Sequence, residues 1–340
     1  MHVTELGNDT AGWDAFVRAS GDGTPFHLLA WRRAVEKAFG HRAHYLVARR
    51  DGRIEGVLPL FRVRGLTGGV ALVSVPYAVY GGICATSDAA RHALLDAAVA
   101  LGTRLGASYI ELRHRQDQGL DLPTKSLYVT FRRAISKDDE ENARAIPRKQ
   151  RRMTRQGEKH GLSATVGREH LDDFYEIYAQ SLHRLGSPVF PRALLRGVFD
   201  AFDPDAELLA VWRGGRMVAG VLTLFHGDEV VPYYGAALDE ALPWAANDFM
   251  YWELMRYAAQ KGCRIFDFGR SRIGTGPYDF KRHWGFDPEP LPYQYVLLRA
   301  KSIPDLSPTN SRFHLAVRAW KRLPLPVTKV LGPAITRYLP

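Results

Sequence analysis

The chain has 340 residues, of which 46% are hydrophobic and 24% are charged, a balance typical of a folded globular protein. Its two cysteines are isolated and its His and Cys residues do not cluster, so neither a disulfide framework nor a zinc site is predicted. The net charge of +10 is concentrated in residues 142–161 and 301–340, each with seven Lys or Arg and one acidic residue. The length suits two domains, and each basic segment needs its own explanation.

The beginning of the chain, MHVTELGNDT, is polar and acidic and lacks the apolar core of a secretory signal. Residues 67–87 contain no charged residue, as a membrane span would, but they contain four glycines and Pro76. This composition favours two buried strands separated by a break. We therefore expect a cytoplasmic protein.

A β-hairpin pattern occurs twice. YLVARRDGRIEGVLPLF at 45–61 has an Asp-Gly turn between two apolar strands, and LLAVWRGGRMVAGVLTLF at 208–225 has a Gly-Gly turn at the same point. Each hairpin is followed by a similar strand end (YGGICA or YYGAAL), a helical stretch of similar length that closes with glycine, and a short strand (ASYIELR or CRIFDFG). The pattern indicates two copies of one α/β unit.

The order of elements in each copy, with an antiparallel hairpin followed by strand, helix and strand, resembles the Gcn5-related N-acetyltransferase (GNAT) fold. Two such units in tandem resemble the FemAB family, whose members form amide bonds in cell-envelope precursors from aminoacyl-tRNA. The resemblance extends through most of residues 1–300. It implies an α/β (α+β) fold with mixed sheets, divided into a first domain at 1–140, a second at 141–300 and a basic tail at 301–340.

Four segments are similar to FemAB-like proteins associated with exosortase and exopolysaccharide systems. They are VPYAVYGGI (75–83), HRLGSPVFP (183–191), FDFGRSRIGTGPYDFKRHWGF (266–286) and WKRLPLPVTKVLGP (320–333). This similarity implies an acceptor in a cell-envelope or exopolysaccharide precursor.

Amide formation requires a neutral amine, a stabilised oxyanion and a proton for the leaving group. The resemblance places Lys281 at the FK position of Fem-like ligases, which implies a catalytic donor to an oxyanion or phosphate; a solvated lysine is the alternative. Asp267 is the second catalytic candidate, because its face of the strand could open into the cleft and receive the amine proton. Glu111 occupies the same point in the first copy. An acid in both copies favours a structural role, such as anchoring a backbone loop.

Three further groups are candidates for substrate contact. The loop after Asp267 carries two arginines suited to phosphate or carboxylate, or to pairing with Asp279, and two glycines that allow close approach. Aromatic side chains near the strand ends of the second copy could stack on a sugar or nucleobase, or pack in the core. The resemblance adds a His-Arg pair that we expect on a loop beside the cleft. These candidates are Arg270, Arg272, Gly274, Gly276, Tyr278, Tyr233, Tyr234, Trp244, His183 and Arg184.

The acyl donor is a co-substrate, and no tightly bound cofactor or metal is expected. GNAT enzymes that use coenzyme A cradle its pyrophosphate with a Q/R-x-x-G-x-G/A loop after the fourth strand. The corresponding loop here, GAALDEALPWAAND, lacks that glycine spacing and carries acidic residues. SRIGTG at 271–276 comes closer but follows the wrong strand. A standard coenzyme A site is therefore disfavoured.

The segment IPRKQRRMTRQGEKHG predicts a helix that Pro147 opens and Gly161 closes. Its basic residues recur at spacings of three and four and form one stripe: Arg148, Arg151, Arg152, Arg155 and Lys159. The stripe suits a tRNA acceptor arm or a nucleotide-sugar pyrophosphate, or it is a solvated face. Aromatic interleaving is absent, so general nucleic-acid binding, including DNA, is not predicted.

The tail combines a helical apolar face with a basic flank. Phe313, Ala316, Val317 and Trp320 share that face, and Arg318, Lys321 and Arg322 form the flank. Such a tail either rests on an anionic membrane leaflet or packs back on the second domain, and we favour packing. Membrane contact through residues 305–340 would place the protein at the inner face of the membrane.

These observations predict a transferase that places an acyl or aminoacyl group on an amine of a cell-envelope or exopolysaccharide precursor. The acceptor is a small-molecule or lipid-linked amine, and the donor is either aminoacyl-tRNA or an acyl-CoA or acyl carrier protein. One alternative is an N-acetyltransferase dependent on acyl-CoA or acyl carrier protein. The other is a non-catalytic assembly factor of the polysaccharide export machinery.

Overall fold

The computed structural model describes residues 1–8, 10–65, 68–304 and 314–339. In the first copy the elements are β1 (His2–Glu5), α1 (Thr10–Ala19), a 3₁₀ turn (Pro25–His27), α2 (Leu29–Phe39), β2 (Arg42–Arg50), β3 (Arg53–Arg64), β4 (Val70–Ser74), β5 (Cys84–Ala85), α3 (Asp88–Arg104), β6 (Tyr109–Arg113), β7 (Thr124–Lys125) and β8 (Tyr128–Ala134).

The second copy and the tail follow. Their elements are α4 (Asp139–Ala145), α5 (Arg148–Lys159), β9 (Ser163–Val166), α6 (Leu171–Leu185), α7 (Arg192–Ala201), β10 (Ala206–Arg213), β11 (Arg216–His226), β12 (Glu229–Ala237), a 3₁₀ segment (Asp239–Trp244), α8 (Ala246–Gln260), β13 (Ile265–Asp267), β14 (Ser271–Arg272), α9 (Gly276–His283), β15 (Pro288–Pro290), β16 (Tyr293–Leu297), α10 (His314–Arg322) and α11 (Leu325–Thr336).

Both predicted hairpins are confirmed. β2 pairs with β3 and β10 pairs with β11, in each case antiparallel. The turn residues Asp51 and Gly52 have φ of 50° and 79°, and Gly214 and Gly215 have φ of 55° and 77°. Two successive residues with positive φ form the type I′ turn that matches the twist of the strands, and Asp and Gly tolerate this conformation. The turn chemistry thus explains why the same unit forms twice.

Each copy contributes a strand to the sheet of the other. The first sheet has the order β1-β2-β3-β4-β6-β16-β7, and the second has the order β14-β8-β13-β12-β11-β10-β9. β8 therefore lies in the second sheet, where Arg133 pairs with Phe266, and β16 lies in the first sheet, where Tyr295 pairs with Glu111. The predicted boundary at residue 140 divides the chain but not the sheets, and it stays a proposal.

The second sheet opens between β12 and β13. These parallel strands pair only at Glu229 with Ile265 and at Val230 with Phe266. A register shift against β11 leaves Tyr233 unpaired, and β12 then stays paired with β11 as far as Ala237 without pairing with β13. The loop that follows β4 in the first copy enters this opening, where the Tyr80 hydroxyl reaches the carboxylate at the end of β13.

The two copies share a core. α2 of the first copy packs on α7 of the second, and Gly197 allows this because a Cβ there would already lie 3.4 Å from Ala34 Cα. The apolar cluster continues from Trp31 of α2 to Phe174 of α6. α3 covers the opposite face of the first sheet. The copies therefore form one packed body.

The tail packs on α6, as favoured from the sequence. Trp320 is 8% exposed, and a Cβ at Gly332 would lie 2.8 Å from the backbone of Val189. Lys329 forms an ion pair with Glu176 at 2.6 Å. The predicted face residue Phe313 lies outside the described residues. Within the described part of the chain, no helix has the length and apolarity needed to cross a bilayer.

Candidate active site

Asp267 is fully buried where the two copies meet. Its carboxylate accepts hydrogen bonds from the Gly269 backbone nitrogen at 2.7 Å, the Tyr80 hydroxyl at 3.0 Å and the Thr130 hydroxyl at 3.3 Å. Arg132 Nε lies 3.3 Å from the second carboxylate oxygen. The expectation that this face opens into a cleft is wrong, because β8 and the loop after β4 cover it. The contacts agree with the structural role, in which Asp267 anchors a loop.

Lys281 projects from α9 onto the same loop. Its Nζ donates to the carbonyl oxygens of Phe268 at 2.7 Å, Gly269 at 2.9 Å and Arg270 at 3.2 Å. Burial lowers the pKa of Lys281 to about 7, and the nearby Asp267 carboxylate opposes that shift. An ammonium has three donors, and three carbonyls accept them. Lys281 thus holds the 268–270 loop, and its direct contact with an oxyanion or phosphate stays a prediction.

Arg270 lies between aromatic rings. Its guanidinium is 4.6 Å from the Tyr128 ring centre and 5.6 Å from that of Tyr293, and Nη1 donates to the Tyr293 hydroxyl at 3.3 Å. Arg270 therefore contacts these two tyrosines and does not form the ion pair with Asp279 that was the alternative. Cation–π contact holds this arginine at the interface between the copies.

The glycine loop has a different character. Arg272 lies in the short strand β14, after which Gly274 and Gly276 lead into α9. Both glycines are exposed, with open space where a Cβ would stand, and Gly274 has φ of 76°. Gly274 is therefore needed for the turn, and close approach of a ligand to either glycine stays a prediction.

The aromatic candidates pack mainly against other side chains. Tyr233 lies 4.6 Å from Tyr234 and 4.8 Å from Phe26 between ring centres, and Tyr234 is buried. Tyr278 lies 5.5 Å from Phe131, and Trp244 lies beneath the Arg213 guanidinium at 3.9 Å. The tyrosine contacts are those of core packing, the alternative considered for these residues, whereas Trp244 lies against an exposed arginine; stacking of any of them on a ligand stays a prediction.

A cavity of about 480 Å³ opens at the carboxyl end of β12, between α6 and the 3₁₀ segment. His183 and Arg184 line it from the last turn of α6, so their predicted position on a loop is wrong, although both border a cavity. Arg184 pairs with Asp239, and Arg216 pairs with Glu240 at 2.6 Å. These three partners were not predicted as site residues. The sequence signal for Asp239 and Glu240 was their position where a pyrophosphate loop would need glycines, and Arg216 had no such signal.

The ring of His183 is held by the tail. Its Nε2 lies 2.9 Å from the carbonyl oxygen of Leu323. A carbonyl only accepts, so Nε2 carries the hydrogen, and in the neutral ring Nδ1 is the acceptor. The cavity is therefore lined by an imidazole whose Nδ1 is an acceptor, in a ring that the tail holds in place.

The predicted basic helix is confirmed as α5, and Gly161 after it has φ of 73°. α5 packs on α8 through Gln150, Thr154 and Gly157, whose Cβ position would be 2.5 Å from Phe249. The opposite face lines an open groove of about 820 Å³. Its exposed members are Arg148, Lys149, Arg152, Arg155 and Lys159. Across the described ranges, none of these five has a carboxylate within 4.0 Å.

Comparison with known proteins agrees with this architecture. The model of the acetyltransferase (GNAT) domain matches residues 141–282. The lipid II:glycine glycyltransferase of Staphylococcus haemolyticus is 30% identical over 90 residues, 24% of this chain and 22% of that protein. The one from Staphylococcus aureus (strain MRSA252) is 23% identical over 385 aligned positions, covering 84% of this chain and 89% of that protein. A crystal structure of FemX superposes with a TM-score of 0.70 at 18% identity, over 88% of this chain and 98% of that one.

The chain has two tandem GNAT-like domains, a fold that it shares with FemX. The predicted fold class is thus confirmed, and so is the predicted class of enzyme, a transferase of the acyl or aminoacyl type.

Proposed function

We propose that the chain transfers an aminoacyl group from aminoacyl-tRNA to an amine of a cell-envelope precursor. The observation that most supports this proposal is the outer face of α5, where five exposed cations have no acidic partner within the described ranges. The names of the curated relatives, which specify lipid II and glycine, support a lipid-linked precursor as acceptor. An exopolysaccharide precursor, implied by the sequence segments described above, is the other member of this acceptor class.

The α5 face suits a nucleic-acid stem. The 12-residue helix is about 18 Å long, enough to contact several phosphates on one side of an RNA duplex. Cations without partners gain most from phosphate, because binding releases the counterions of the nucleic acid without breaking an ion pair in the protein. No aromatic side chain lies within α5, so the contact would be with the backbone of a stem rather than with unstacked bases.

The transfer step requires one proton to move. The acceptor amine attacks the ester carbonyl of the donor, forming the C–N bond, and collapse of the tetrahedral intermediate breaks the ester C–O bond. The nitrogen loses a proton and the leaving ribose oxygen gains one, so a single side chain can act first as base and then as acid. We assign this role to His183, whose Nδ1 is the acceptor nitrogen.

The other charged residues of the site contribute by binding the acceptor or by positioning a loop. The ion pairs Arg184–Asp239 and Arg216–Glu240 place both signs of charge on the cavity wall, which suits an acceptor that carries amine and carboxylate groups. Lys281, which holds the 268–270 loop with Asp267, would contribute to transfer through that loop.

The tail supplies a second proposed contact, with an anionic membrane. Its inner side packs on α6, while Leu315 is 78% exposed and Val330 is 74% exposed. Apolar side chains beside Arg318, Lys321 and the other basic residues of α10 are the arrangement of an interfacial helix. Membrane contact would bring the cavity close to a lipid-linked acceptor.

The donor is tested by separate incubations with charged tRNA, acyl-CoA and acylated carrier protein, each with candidate amine acceptors, followed by mass spectrometry. Transfer from charged tRNA alone is expected. Transfer from either of the other donors would favour the N-acetyltransferase alternative, and absence of transfer from all three would favour the assembly factor.

Donor binding is tested at Arg152. Arg152→Gln should weaken tRNA binding and reduce the slope of log affinity against log salt by about 1. The control is Arg53→Gln, which removes an exposed arginine from the β2–β3 turn. Equal behaviour of the two variants would contradict the role of α5.

A further inference from the structure

A second basic site lies at the edge of the first sheet, where a pocket of about 330 Å³ is lined by arginines from distant parts of the chain. Arg42 begins β2, Arg62 and Arg64 end β3, and Arg337 follows α11. Among the residues that the structure describes, the lining contains no acidic side chain; its other members are Gly40, His41 and Tyr338. In the described part of the chain, none of the four arginines has a carboxylate within 4.0 Å.

The positions of these arginines lower the stability of the folded protein. Arg42 and Arg62 are directly paired across the β2–β3 ladder, where like charges are destabilising. The Nε atom of Arg62 is buried and has no hydrogen-bond partner. A buried donor without a partner lowers stability, and adding a fourth arginine from the tail increases the repulsion. An anion in the pocket would resolve both the repulsion and the missing hydrogen bond.

The back wall of the pocket is preorganised. His41 Nε2 lies 2.7 Å from the Tyr77 hydroxyl, which donates to the Arg337 carbonyl at 3.1 Å, and the Tyr77 ring stacks on Phe39 at 4.1 Å. Burial and the Arg337 charge lower the pKa of His41 to about 4, so the imidazole is neutral near pH 7. The positive charge of the pocket therefore comes from the four guanidinium groups. The hydrogen bond from the Tyr77 hydroxyl to the Arg337 carbonyl holds Arg337 against the first domain.

We propose that this four-arginine pocket binds a phosphate group, as a phosphate monoester or pyrophosphate of a small molecule or of a lipid headgroup. The planar fork of arginine matches phosphate oxygens in pairs, and every cation among the described residues of the lining is an arginine. The volume admits one or two phosphate groups but not a nucleic-acid duplex, which separates this site from the α5 face. The proposal is independent of the transfer reaction and stands or falls without it.

Binding is measured with inorganic phosphate and pyrophosphate by calorimetry, and with phosphatidylcholine vesicles with and without phosphatidic acid by sedimentation. Arg42→Gln and Arg64→Gln remove exposed members of the pocket, and Arg53→Gln removes the exposed arginine at the opposite end of β3 as a matched control. Loss of a charge-assisted hydrogen bond should weaken binding about tenfold or more in the pocket variants. Arg53→Gln should bind as the unaltered protein does.

Loss of pyrophosphate binding in the pocket variants would support the proposal and identify a soluble ligand. Loss of binding to phosphatidic acid vesicles alone would support it and identify a lipid headgroup. Equal binding by Arg64→Gln and Arg53→Gln, or absence of binding to every phosphate probe, would overturn it.

Discussion

Replacing Lys281 with methionine tests whether this residue acts by holding the 268–270 loop. Methionine keeps the unbranched apolar stem but removes all three donors to the carbonyls of Phe268, Gly269 and Arg270. We expect the folded state to lose stability and transfer activity to fall with it, since the loop that carries Arg270 would lose its fixed position.

The magnitude follows from the contacts. Each hydrogen bond contributes about 0.5–1.5 kcal/mol net, so the three give about 1.5–4.5 kcal/mol. Burial of an ammonium opposes this gain, as the lowered pKa of Lys281 indicates. The side chain also lies near the rings of Phe131 and Phe268, which methionine can still contact. The expected net loss for Lys281→Met at pH 7 is about 2 kcal/mol.

The pH dependence has a definite sign. The pKa of Lys281 is about 7 in the folded protein against an ordinary value of 10.5. Between these values the unfolded chain binds a proton that the folded protein does not, so the stability of the unaltered protein rises with pH across this range. This gain in the free energy of unfolding is lost again as the pH falls to about 7, the pKa of Lys281 in the folded protein. The stability gap to Lys281→Met should therefore widen between pH 7 and pH 9.

The assay is denaturant unfolding at both pH values, with transfer activity measured on the same preparations. Lys137→Met, a change at an exposed lysine, is the matched control. If Lys281→Met unfolds at the same denaturant concentration as the control yet loses transfer, the loop-holding argument is refuted and direct contact with the reacting groups is favoured.

Three further changes test other parts of the molecule. Burial raises the pKa of Asp248 from 3.8 to about 6, so between these pH values the folded protein binds a proton that the unfolded chain does not, and its stability falls as the pH rises. Asp248→Asn should remove this loss of stability, which is about 3 kcal/mol at most. Unfolding measured at pH 4 and pH 7 tests it. Val330→Gln should reduce sedimentation with anionic vesicles while Leu185→Gln, also exposed, should not, and equal sedimentation would remove α11 from the membrane. His183→Gln keeps a donor for Leu323 but lacks the Nδ1 base, so transfer should fall about 10²–10⁴-fold without loss of stability, and unchanged turnover would exclude His183 as the base.

Local chemistry determined much of the fold from the sequence alone. Asp51-Gly52 and Gly214-Gly215 specify their turns because only a few residues adopt positive φ readily. Pro147 and Gly161 bound α5, and its charge spacing defined one exposed face, because helix geometry relates neighbours three and four residues apart. The duplication was visible in the sequence because both copies carry the same local pattern of hairpin, helix and strand.

Tertiary structure decided what each polar side chain contacts. The exchange of β8 and β16 is invisible in a local pattern, because strand periodicity shows which side chains share a face but not which strand pairs with it. Asp267 and Lys281 were recognised as important residues, but their surroundings come from Thr130 of the exchanged strand β8, Tyr80 of the loop after β4 and the backbone of residues 268–270. The four-arginine pocket joins the first hairpin to the end of the tail, nearly 300 residues later. Charges that far apart in the chain become neighbours only through packing, so their mutual repulsion, and the proposed phosphate site, arise only in the folded protein.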